Sequence, residues 1–447
     1  MRCCFITLGC RVNQYESDAM AELLTAAGHI VVDSPADADC CIVNTCTVTN
    51  IADRKSRQML AKAHRINPNA KLVICGCWAQ RNPERARELD GVDVVLGSSG
   101  RRRIVDVVNG FEAERISEDR ISLSEQQTRS FIGDVMRETS FEELSAVHEG
   151  RTRAYLKIQD GCNLFCSYCA IPFARGALRS RSLESVKREA EKLNAENYPE
   201  VVLTGIHLMS YGADLKDGTD ITDAVNCFRG LDNIKRIRFG SLEPHMLTDR
   251  IIGLLSAEPR ICRQFHLSLQ SGSDAVLERM RRGYTSEEYF LICKKLRAAF
   301  GEETAITTDI IAGFPGETEE EHLQTISFMR RVGFAKVHVF PYSRRSGTKA
   351  DLMPGQLTNA EKSERAAELI AAGRELERTY LSRLIGTEQE VLIEKNSDNG
   401  YSSGYTDTYA HCIINETIAQ GTLVCVQIKE IKEDSDGELS LLSYRSR

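Results

Sequence analysis

Three cysteines, Cys162, Cys166 and Cys169, stand with three and then two residues between them, and Tyr168 directly precedes the last. Thiolates hold iron–sulfur clusters, and a cubane needs four ligands to saturate its irons. A run of three with no close fourth leaves one iron open, and an open iron can take a substrate or cofactor as its ligand. The competing reading is a structural zinc site. Zinc knuckles come as paired Cys-x2-4-Cys with a fourth ligand nearby, whereas after Cys169 the next histidine or cysteine is His207. The run therefore points to chemistry at an iron.

A second set of cysteines lies upstream, each just past a short apolar, β-branched run. Cys10 ends Phe5-Ile6-Thr7-Leu8-Gly9-Cys10, Cys46 ends Cys41-Ile42-Val43-Asn44-Thr45-Cys46, and Cys77 ends Leu72-Val73-Ile74-Cys75-Gly76-Cys77. Such runs read as buried strands. Helical patterns separate them, for example Asp18 to Ala27 with Gly28 as its C-cap. Strands alternating with helices imply a parallel sheet, whose functional loops gather at the strand carboxyl ends. Cysteines far apart in sequence can therefore converge there. Cys75 competes with Cys77 for the third place; the repeated Gly-Cys pair, Gly9-Cys10 and Gly76-Cys77, favours Cys77 and leaves Cys75 inside its strand.

The elements that must position these residues fall into several blocks. From Met1 to about Gly110, strands at Cys4-Leu8, Ile30-Asp33, Cys41-Thr45, Leu72-Cys75 and Val92-Leu96 alternate with helices and suit a flavodoxin-like sheet. Phe111 to Gly150, with ten acidic and four basic residues, reads as an acidic linker or hairpin (111–150). From Arg151 to Leu381, strands are expected at Ala154-Ile158, Val201-Leu203, Arg236-Phe239, Phe265-Leu269, Ala305-Ile311 and Lys336-Phe340. Thr285 with Glu288 and Thr318 with Glu321 form capping boxes. Six such units suit a partial (β/α) barrel with its active site at the strand carboxyl ends, and Cys162 follows the first strand. Arg383 to Arg447 loses helical periodicity, and the runs Gln389-Glu394, Cys412-Ile414 and Leu423-Ile428 between Gly, Asn and Asp turns predict a small all-β barrel.

Sixteen cysteines in 447 residues do not imply disulfides here, because a chain of this size buries real cores without staples. The start, Met1-Arg2-Cys3-Cys4-Phe5, carries no apolar signal segment, and no run approaches the roughly eighteen apolar residues of a membrane span. A reducing cytoplasm and no membrane partner are expected. The ten remaining cysteines read as small buried hydrophobes.

The Cys-x3-Cys-x2-Cys spacing with its aromatic residue resembles the signature of radical S-adenosylmethionine (SAM) enzymes. The two cysteine sets together resemble the methylthiotransferases. Thr7-Leu8-Gly9-Cys10-Arg11-Val12-Asn13, Asn44-Thr45-Cys46-Thr47-Val48 and Gly76-Cys77-Trp78-Ala79-Gln80 look like the three segments of that family's N-terminal domain. Lys157-Ile158-Gln159-Asp160-Gly161-Cys162, Leu203-Thr204-Gly205-Ile206-His207, Leu269-Gln270-Ser271-Gly272-Ser273, Arg279-Met280-Arg281-Arg282 and Gly313-Phe314-Pro315-Gly316-Glu317-Thr318 look like barrel segments of the family, and the last domain resembles the RNA-binding TRAM barrel.

The resemblance implies two 4Fe-4S clusters. Cys162, Cys166 and Cys169 would hold the radical-generating one, and Cys10, Cys46 and Cys77 an auxiliary one that carries the sulfur to be inserted. It also implies two SAM per turnover, one for a deoxyadenosyl radical and one for the methyl group. Carbon 2 of an adenine ring has no acidic proton and no leaving group, so acid–base catalysis is inadequate and a radical is needed. Tyr168, Thr204, Gly205, Ser241, Glu243, Gln270, Ile311 and Gly313 are the implied SAM contacts, though each barrel residue among them sits where a strand ends and suits a structural role equally.

Three branches use this architecture. Two act on adenosine at tRNA position 37, in the anticodon stem-loop, bearing an isopentenyl or a threonylcarbamoyl group; the third modifies a ribosomal-protein aspartate. Asn44-Thr45-Cys46-Thr47-Val48-Thr49-Asn50, Ala174-Arg175-Gly176-Ala177-Leu178-Arg179-Ser180-Arg181 and Val339-Phe340-Pro341-Tyr342-Ser343 look most like the threonylcarbamoyl branch. An electron donor and a sulfur donor are the further partners implied. A simple electron carrier would explain neither two open-iron triplets nor the extra β-domain.

The formal charge of −7 sits awkwardly with an RNA partner, since phosphate binding needs local Lys and Arg. The acid is concentrated in the linker and in the C-terminal domain, where eleven acidic residues face six basic ones. Basic runs at Arg101-Arg102-Arg103, Arg175/Arg179/Arg181, Arg279/Arg281/Arg282 and Arg344-Arg345 are left to meet RNA, unless they are ordinary solvated faces. Arg175, Arg179 and Arg181 follow the cysteine loop closely and are expected near the barrel mouth as substrate residues, since guanidinium forks match a carboxylate bidentately.

Overall fold

β-Branched runs buried along their whole length are what a sheet covered on both faces demands, and the N-terminal strands have that character. The computed structural model describes residues 1–117, 128–146, 151–397 and 399–446. β1 (Arg2–Thr7), β2 (Ile30–Val32), β3 (Cys40–Thr45), β4 (Lys71–Gly76), β5 (Val94–Leu96) and β6 (Arg129–Phe131) form one parallel sheet in the order β2-β1-β3-β4-β5-β6. Its first five strands have the flavodoxin-like order, which reverses direction between β1 and β3. Strand alternation sorts the side chains. Cys4, Cys41, Val43, Leu72 and Ile74 pack with Leu60 and Ala63 of α2 (Asn50–Ile66), after α1 (Arg11–Ala26) in chain order. Cys3, Cys40, Ile42, Val73 and Cys75 pack on the opposite face with Met20 and Leu24 of α1. That core is completed by α5 (Arg103–Ser117), which follows α3 (Cys77–Arg81) and α4 (Pro83–Arg87).

Two expectations change here. The first helix begins at Arg11, not Asp18, with Cys10 at its N-cap and no side-chain cap bond; lacking a Ser, Thr, Asp or Asn at that place, the sequence gives no start signal. The stretch read as an acidic linker supplies the end of α5 and the sixth strand. β6 is three residues long and only partly buried, so its place comes from pairing with β5 and not from its own pattern.

Contacts divide the chain into two units. The first takes the described residues to 146 with 159–181 and 343–351; the second takes 151–158, 182–342 and the described residues from 352 on. After β7 (Arg153–Lys157), which belongs to the second, the chain re-enters the first. There β8 (Gln159–Asp160) pairs antiparallel with β9 (Arg179–Ser180), and the cysteine loop and α6 (Ile171–Arg175) lie between them.

In the second unit β7 pairs with β10 (Glu200–Thr204) and β10 with β11 (Arg236–Phe239), all parallel. β12 (Ser241–Leu242), β13 (Gln264–Leu267), β14 (Ala305–Ala312) and β15 (Lys336–Pro341) continue as a second parallel sheet, broken from the first at Gly240. Helices from the intervening segments, with both expected capping boxes present, enclose the large core of this open barrel. The chain ends in a closed five-stranded barrel of β16 (Glu388–Asn396), β17 (Ser402–Thr406), β18 (His411–Ile414), β19 (Leu423–Glu433) and β20 (Leu439–Arg445).

The small barrel docks on arginines from the amino ends of the parallel strands. Arg236 donates to the Tyr405 and Glu390 carbonyls, Arg238 to those of Thr406 and Asp407, and Arg263 binds the Asp407 carboxylate. Arg153 lies over the Tyr405 and Tyr409 rings. Beneath them the buried Glu200 carboxylate takes Arg238 at 2.8 Å and Arg153 at 3.2 Å. Among the described residues no helix is long and apolar enough to cross a membrane.

Candidate cluster sites and their surroundings

Cys10, Cys46 and Cys77 stand at the carboxyl ends of β1, β3 and β4, the first two flanking the point where the sheet order reverses. Ligands of open α/β sheets bind at that crevice. Gly9, at φ +106°, passes so close to the second loop that a Cβ there would stand 2.8 Å from Cys46 Cβ and 3.1 Å from its Sγ. The thiols feel one another: burial pushes Cys46 up to about 12, with Cys77 and Cys10 adding to the rise. Burial also raises Cys77, which Arg175 opposes and Cys10 reinforces. Thiols that resist ionising beside one another form a donor set that a cationic centre would satisfy, so the residues fit a cluster. Among the described residues no three His, Cys, Asp or Glu side chains converge on the position of a single ion. Each thiolate of a cubane takes its own iron, so convergence on one point is not what that group requires. Cys75 lies within β4, buried in the α1–α5 core, and Cys77 is the first residue of α3.

A polar hub ties the three loops together. Asn13 Nδ2 donates to the carbonyls of Leu8 and Thr45, the loops of Cys10 and Cys46, and Thr45 Oγ1 donates to the Cys75 carbonyl beside Cys77. Arg175 completes it: Nε donates to Cys77 Sγ at 3.0 Å, Nη2 to Asn13 Oδ1 at 2.5 Å, and Nη1 and Nη2 to the Glu16 carboxylate at 2.5 and 3.0 Å. Asn13, Glu16 and Arg175 are all fully buried. The first two went unread as site residues because the helix carrying them was expected to begin at Asp18.

The second triplet lies on an irregular loop of the same unit. Gly161, at φ +72°, leaves no room for a side chain, since a Cβ would collide with the Ala177 carbonyl. The Cys162 amide donates to the Gly176 carbonyl, and that of Cys169 to the Cys166 carbonyl. Phe165 adopts a left-handed conformation at φ +48°, its ring edge-on to Phe173 at 5.9 Å. Cys162, Tyr168 and Cys169 are half-buried and Cys166 is buried. The Ile171 amide, opening α6, points at Cys169 Sγ at 3.4 Å. Three thiols on a loop open on one side, with a backbone donor aimed at one sulfur, fit a cluster of the expected kind.

In the second unit the remaining candidates lie at or beside strand ends. Thr204 closes β10 and Gly205 follows it; Ser241 opens β12 and is exposed. Both Glu243 oxygens accept from Arg282 Nη2, at 2.6 and 2.8 Å. Burial alone would raise Glu243, but the nearby His207 and His245 rings, at 3.7 and 3.5 Å, and the Arg282 charge outweigh it and hold the carboxyl at about 2. Gln270 sits at φ +75°, rare for a residue with a side chain, and is locked there by exchanging backbone hydrogen bonds with Asp309 and Ile311. Such strain persists where surroundings impose it, often at ligand sites. Gly313, at φ +70°, follows Ile311 and the end of β14, and a Cβ there would strike Lys362.

The arginines expected at a substrate mouth are not free to serve there. Arg175 is spent on Glu16, Asn13 and Cys77. Arg179 is buried against the Arg175 carbonyl at 2.8 Å and Asp160 at 3.7 Å. Arg181 is buried too, binding the Glu143 carboxylate, the Leu144 carbonyl and the Tyr15 hydroxyl. Turning Arg175 or Arg179 toward a substrate would strand a buried carboxylate, Glu16 or Asp160, at a cost of about 3–5 kcal/mol.

Comparison with known proteins finds three family matches along the chain. Residues 2–97 match the uncharacterized protein family UPF0004, 156–329 the radical SAM superfamily, and 382–435 the TRAM domain. The threonylcarbamoyladenosine tRNA methylthiotransferase MtaB of Bacillus subtilis is 39% identical over 418 residues, 92% of this chain and 90% of that protein. The protein of the same name from Thermotoga maritima is 35% identical over 96% of this chain and 94% of its own length. A tRNA-2-methylthio-N(6)-dimethylallyladenosine synthase from Pelotomaculum thermopropionicum is 33% identical over 88% of this chain and 87% of its own length. Among solved structures, the radical SAM methyltransferase TsrM of Kitasatospora setae shares the fold at a TM-score of 0.55 and 18% identity, covering 78% of this chain and 77% of that one.

Proposed function

This chain belongs to the radical SAM methylthiotransferase family, and we propose that it adds a methylthio group to carbon 2 of threonylcarbamoyl-adenosine at position 37 of tRNA, in the cytoplasm. The observation that carries the reading is the pair of cysteine triplets in one contact unit, Cys10/Cys46/Cys77 at the crevice of a flavodoxin-like sheet and Cys162/Cys166/Cys169 on the loop after β7. The 39% identity to the Bacillus subtilis protein, against 33% to the dimethylallyl-type enzyme above, favours the threonylcarbamoyl branch.

When bound, two 4Fe-4S clusters and SAM supply the radical, sulfur and methyl chemistry that no side chain here can. The protein's part is to hold and orient. Cys162, Cys166 and Cys169 hold one cluster and Cys10, Cys46 and Cys77 the other, with Asn13 and Thr45 fixing the spacing of the second set. Glu243 is ionised throughout the neutral range, and an ionised carboxylate accepts hydrogen bonds from ribose hydroxyls; Arg282 fixes its direction. Tyr168, on the cluster loop, and Thr204, Gly205, Ser241, Gln270, Ile311 and Gly313 are the further SAM contacts of this reading.

The outer face of α2 supports tRNA as the partner. Arg54, Lys55, Arg57, Lys62 and Arg65 are all exposed on this one helix. Its only acid, Asp53, is occupied by Arg345 at 2.7 Å. No carboxylate among the described residues pairs with any of the five. Unpaired cations in a row on one face are what a phosphate backbone binds.

The test is nucleoside mass analysis of tRNA from cells lacking the gene, paired with reaction of the reconstituted enzyme on tRNA bearing either side group. Loss of the methylthio form of threonylcarbamoyl-adenosine, restored by the gene, is expected. Intact methylthio nucleoside in the deletion strain, or turnover of isopentenyl tRNA alone, refutes the branch.

A further inference from the structure

Arg175 stands at the end of α6, the short helix that opens just after Cys169, yet its guanidinium ends on Cys77 of the other triplet. Its two Nη atoms are clamped on Glu16 and Asn13, and with that fork fixed the planar group has one orientation, which aims Nε–H at the Cys77 sulfur. A guanidinium is rigid in this way and an ammonium is not. The surrounding charges balance without the thiols: Arg101, Arg175 and Arg179 face Glu16, Glu142 and Asp160. What Arg175 offers the sulfur is therefore a directed donor and not a general excess of positive charge.

We propose that Arg175 is a positioning residue for the auxiliary cluster, whose Nε–H···S bond fixes the Cys77 thiolate and raises the reduction potential of the cluster that Cys10, Cys46 and Cys77 hold. The inference rests on the reading that these three thiols bind such a cluster. Hydrogen bonds to ligating sulfurs stabilise the more negative, reduced state, and they are among the main protein levers on iron–sulfur potentials. Burial strengthens the effect, since a charge-assisted bond loses little to solvent there. A residue serving only as a buried ion pair would stabilise the fold without moving a potential.

The experiment uses the full chain with Cys162, Cys166 and Cys169 replaced by alanine and reconstituted anaerobically, so that only the auxiliary cluster remains. Its midpoint is read by redox titration followed by electron paramagnetic resonance. Arg175→Lys keeps the charge and loses the Nε donor; the double variant Arg175→Met/Glu16→Gln removes the donor and keeps the charges balanced. Both are expected to retain iron and to shift the oxidised-to-reduced ratio at fixed potential by about tenfold, which is ~59 mV lower for a one-electron couple. An unmoved midpoint in either variant that keeps the cluster overturns the inference alone. Loss of iron from both, with the circular dichroism and thermal unfolding of the iron-free protein unchanged from those of the iron-free parent, supports the holding role. Loss of iron together with those signatures of folding makes Arg175 a folding residue only and overturns the proposal. A parent variant that binds no iron overturns the inference and the two-cluster reading together.

Discussion

Glu200 is the residue whose removal most directly tests how the second unit is held together. Its carboxylate is buried and meets three guanidiniums: Arg238 at 2.8 and 3.3 Å, Arg153 at 3.2 Å and Arg236 at 3.9 Å. Burial alone would raise its pKa, but Arg238 and then Arg153 outweigh that and hold it at about 2, against an ordinary 4.5. A difference of that size corresponds to about 3 kcal/mol, within the range for breaking a buried pair by removing one partner, about 3–5 kcal/mol. Because the folded value is depressed, this stability is fully present above about pH 4.5 and is lost as pH falls toward 2, with more than half gone by about pH 3. Glu200→Gln keeps the shape and removes the charge. Hydrogen exchange read by mass spectrometry is the suitable assay, because the single tryptophan, Trp78, lies in the other unit and does not report here. The variant should expose β10, β11 and the β17–β18 turn by about 3 kcal/mol at pH 7, by a visibly smaller margin near pH 3.5, and leave Trp78 emission unchanged. Unchanged protection at pH 7, or a difference that does not narrow with acid, would refute the reasoning.

Three further outcomes are expected. Cys77→Ala should lose about four of eight irons while SAM cleavage survives, and Cys75→Ala should keep all of them, as iron analysis and 5′-deoxyadenosine formation will show; iron loss at Cys75 alone would reverse the assignment. Gly9→Ala should lose the same cluster, because its Cβ would press on Cys46, whereas Gly28→Ala, also at positive φ but with open space around it, should cost only backbone strain and keep its iron. Replacing Arg54, Arg57 and Arg65 by glutamine should weaken tRNA binding regardless of the group on the adenosine and lower the salt slope by about 2, at roughly 0.7 per phosphate contact; an unchanged slope in a filter-binding titration would remove α2 from the interface.

Much of the frame was legible because its determinants are local. Continuous β-branched runs announced β1, β3 and β4, and Thr-x-x-Glu pairs announced the caps of the helices Ser286–Phe300 and Glu319–Val332. The placing of Cys10, Cys46 and Cys77 at one edge of the sheet followed from topology alone, since parallel strands deliver their ends there. What was not legible depended on partners distant in sequence. β6 exists because β5 is there to pair with it, and β17, Ser402–Thr406, contains a glycine and two serines whose alternation emerges only once the small barrel closes. The role of Arg175 is of the same kind: nothing around it names Glu16, 159 residues away.

The charge of the chain illustrates why a basic run in sequence is a poor guide to a phosphate surface. Of the runs that invited an RNA reading, Arg101 is buried on Glu16 and Glu142, Arg175, Arg179 and Arg181 are buried as described, Arg279 is paired with Glu321, Arg282 with Glu243, Arg344 with Asp351 and Arg345 with Asp53. Each has a carboxylate whose charge it must balance, and withdrawing it to meet a phosphate would exchange one partner for another at little gain. The acid of the C-terminal barrel is partly spent in the same way, since Glu390, Glu394 and Asp407 meet Arg236, Arg153 and Arg263 within its own unit. That pairing explains how an acidic domain can belong to an RNA enzyme: part of its charge serves docking, not repulsion of RNA. The cations that remain available are the ones without such an obligation, and α2 has five of them on the helix that follows Cys46. A formal charge of −7 does not exclude RNA binding, because part of the acid is held in ion pairs while the five cations of α2 are exposed.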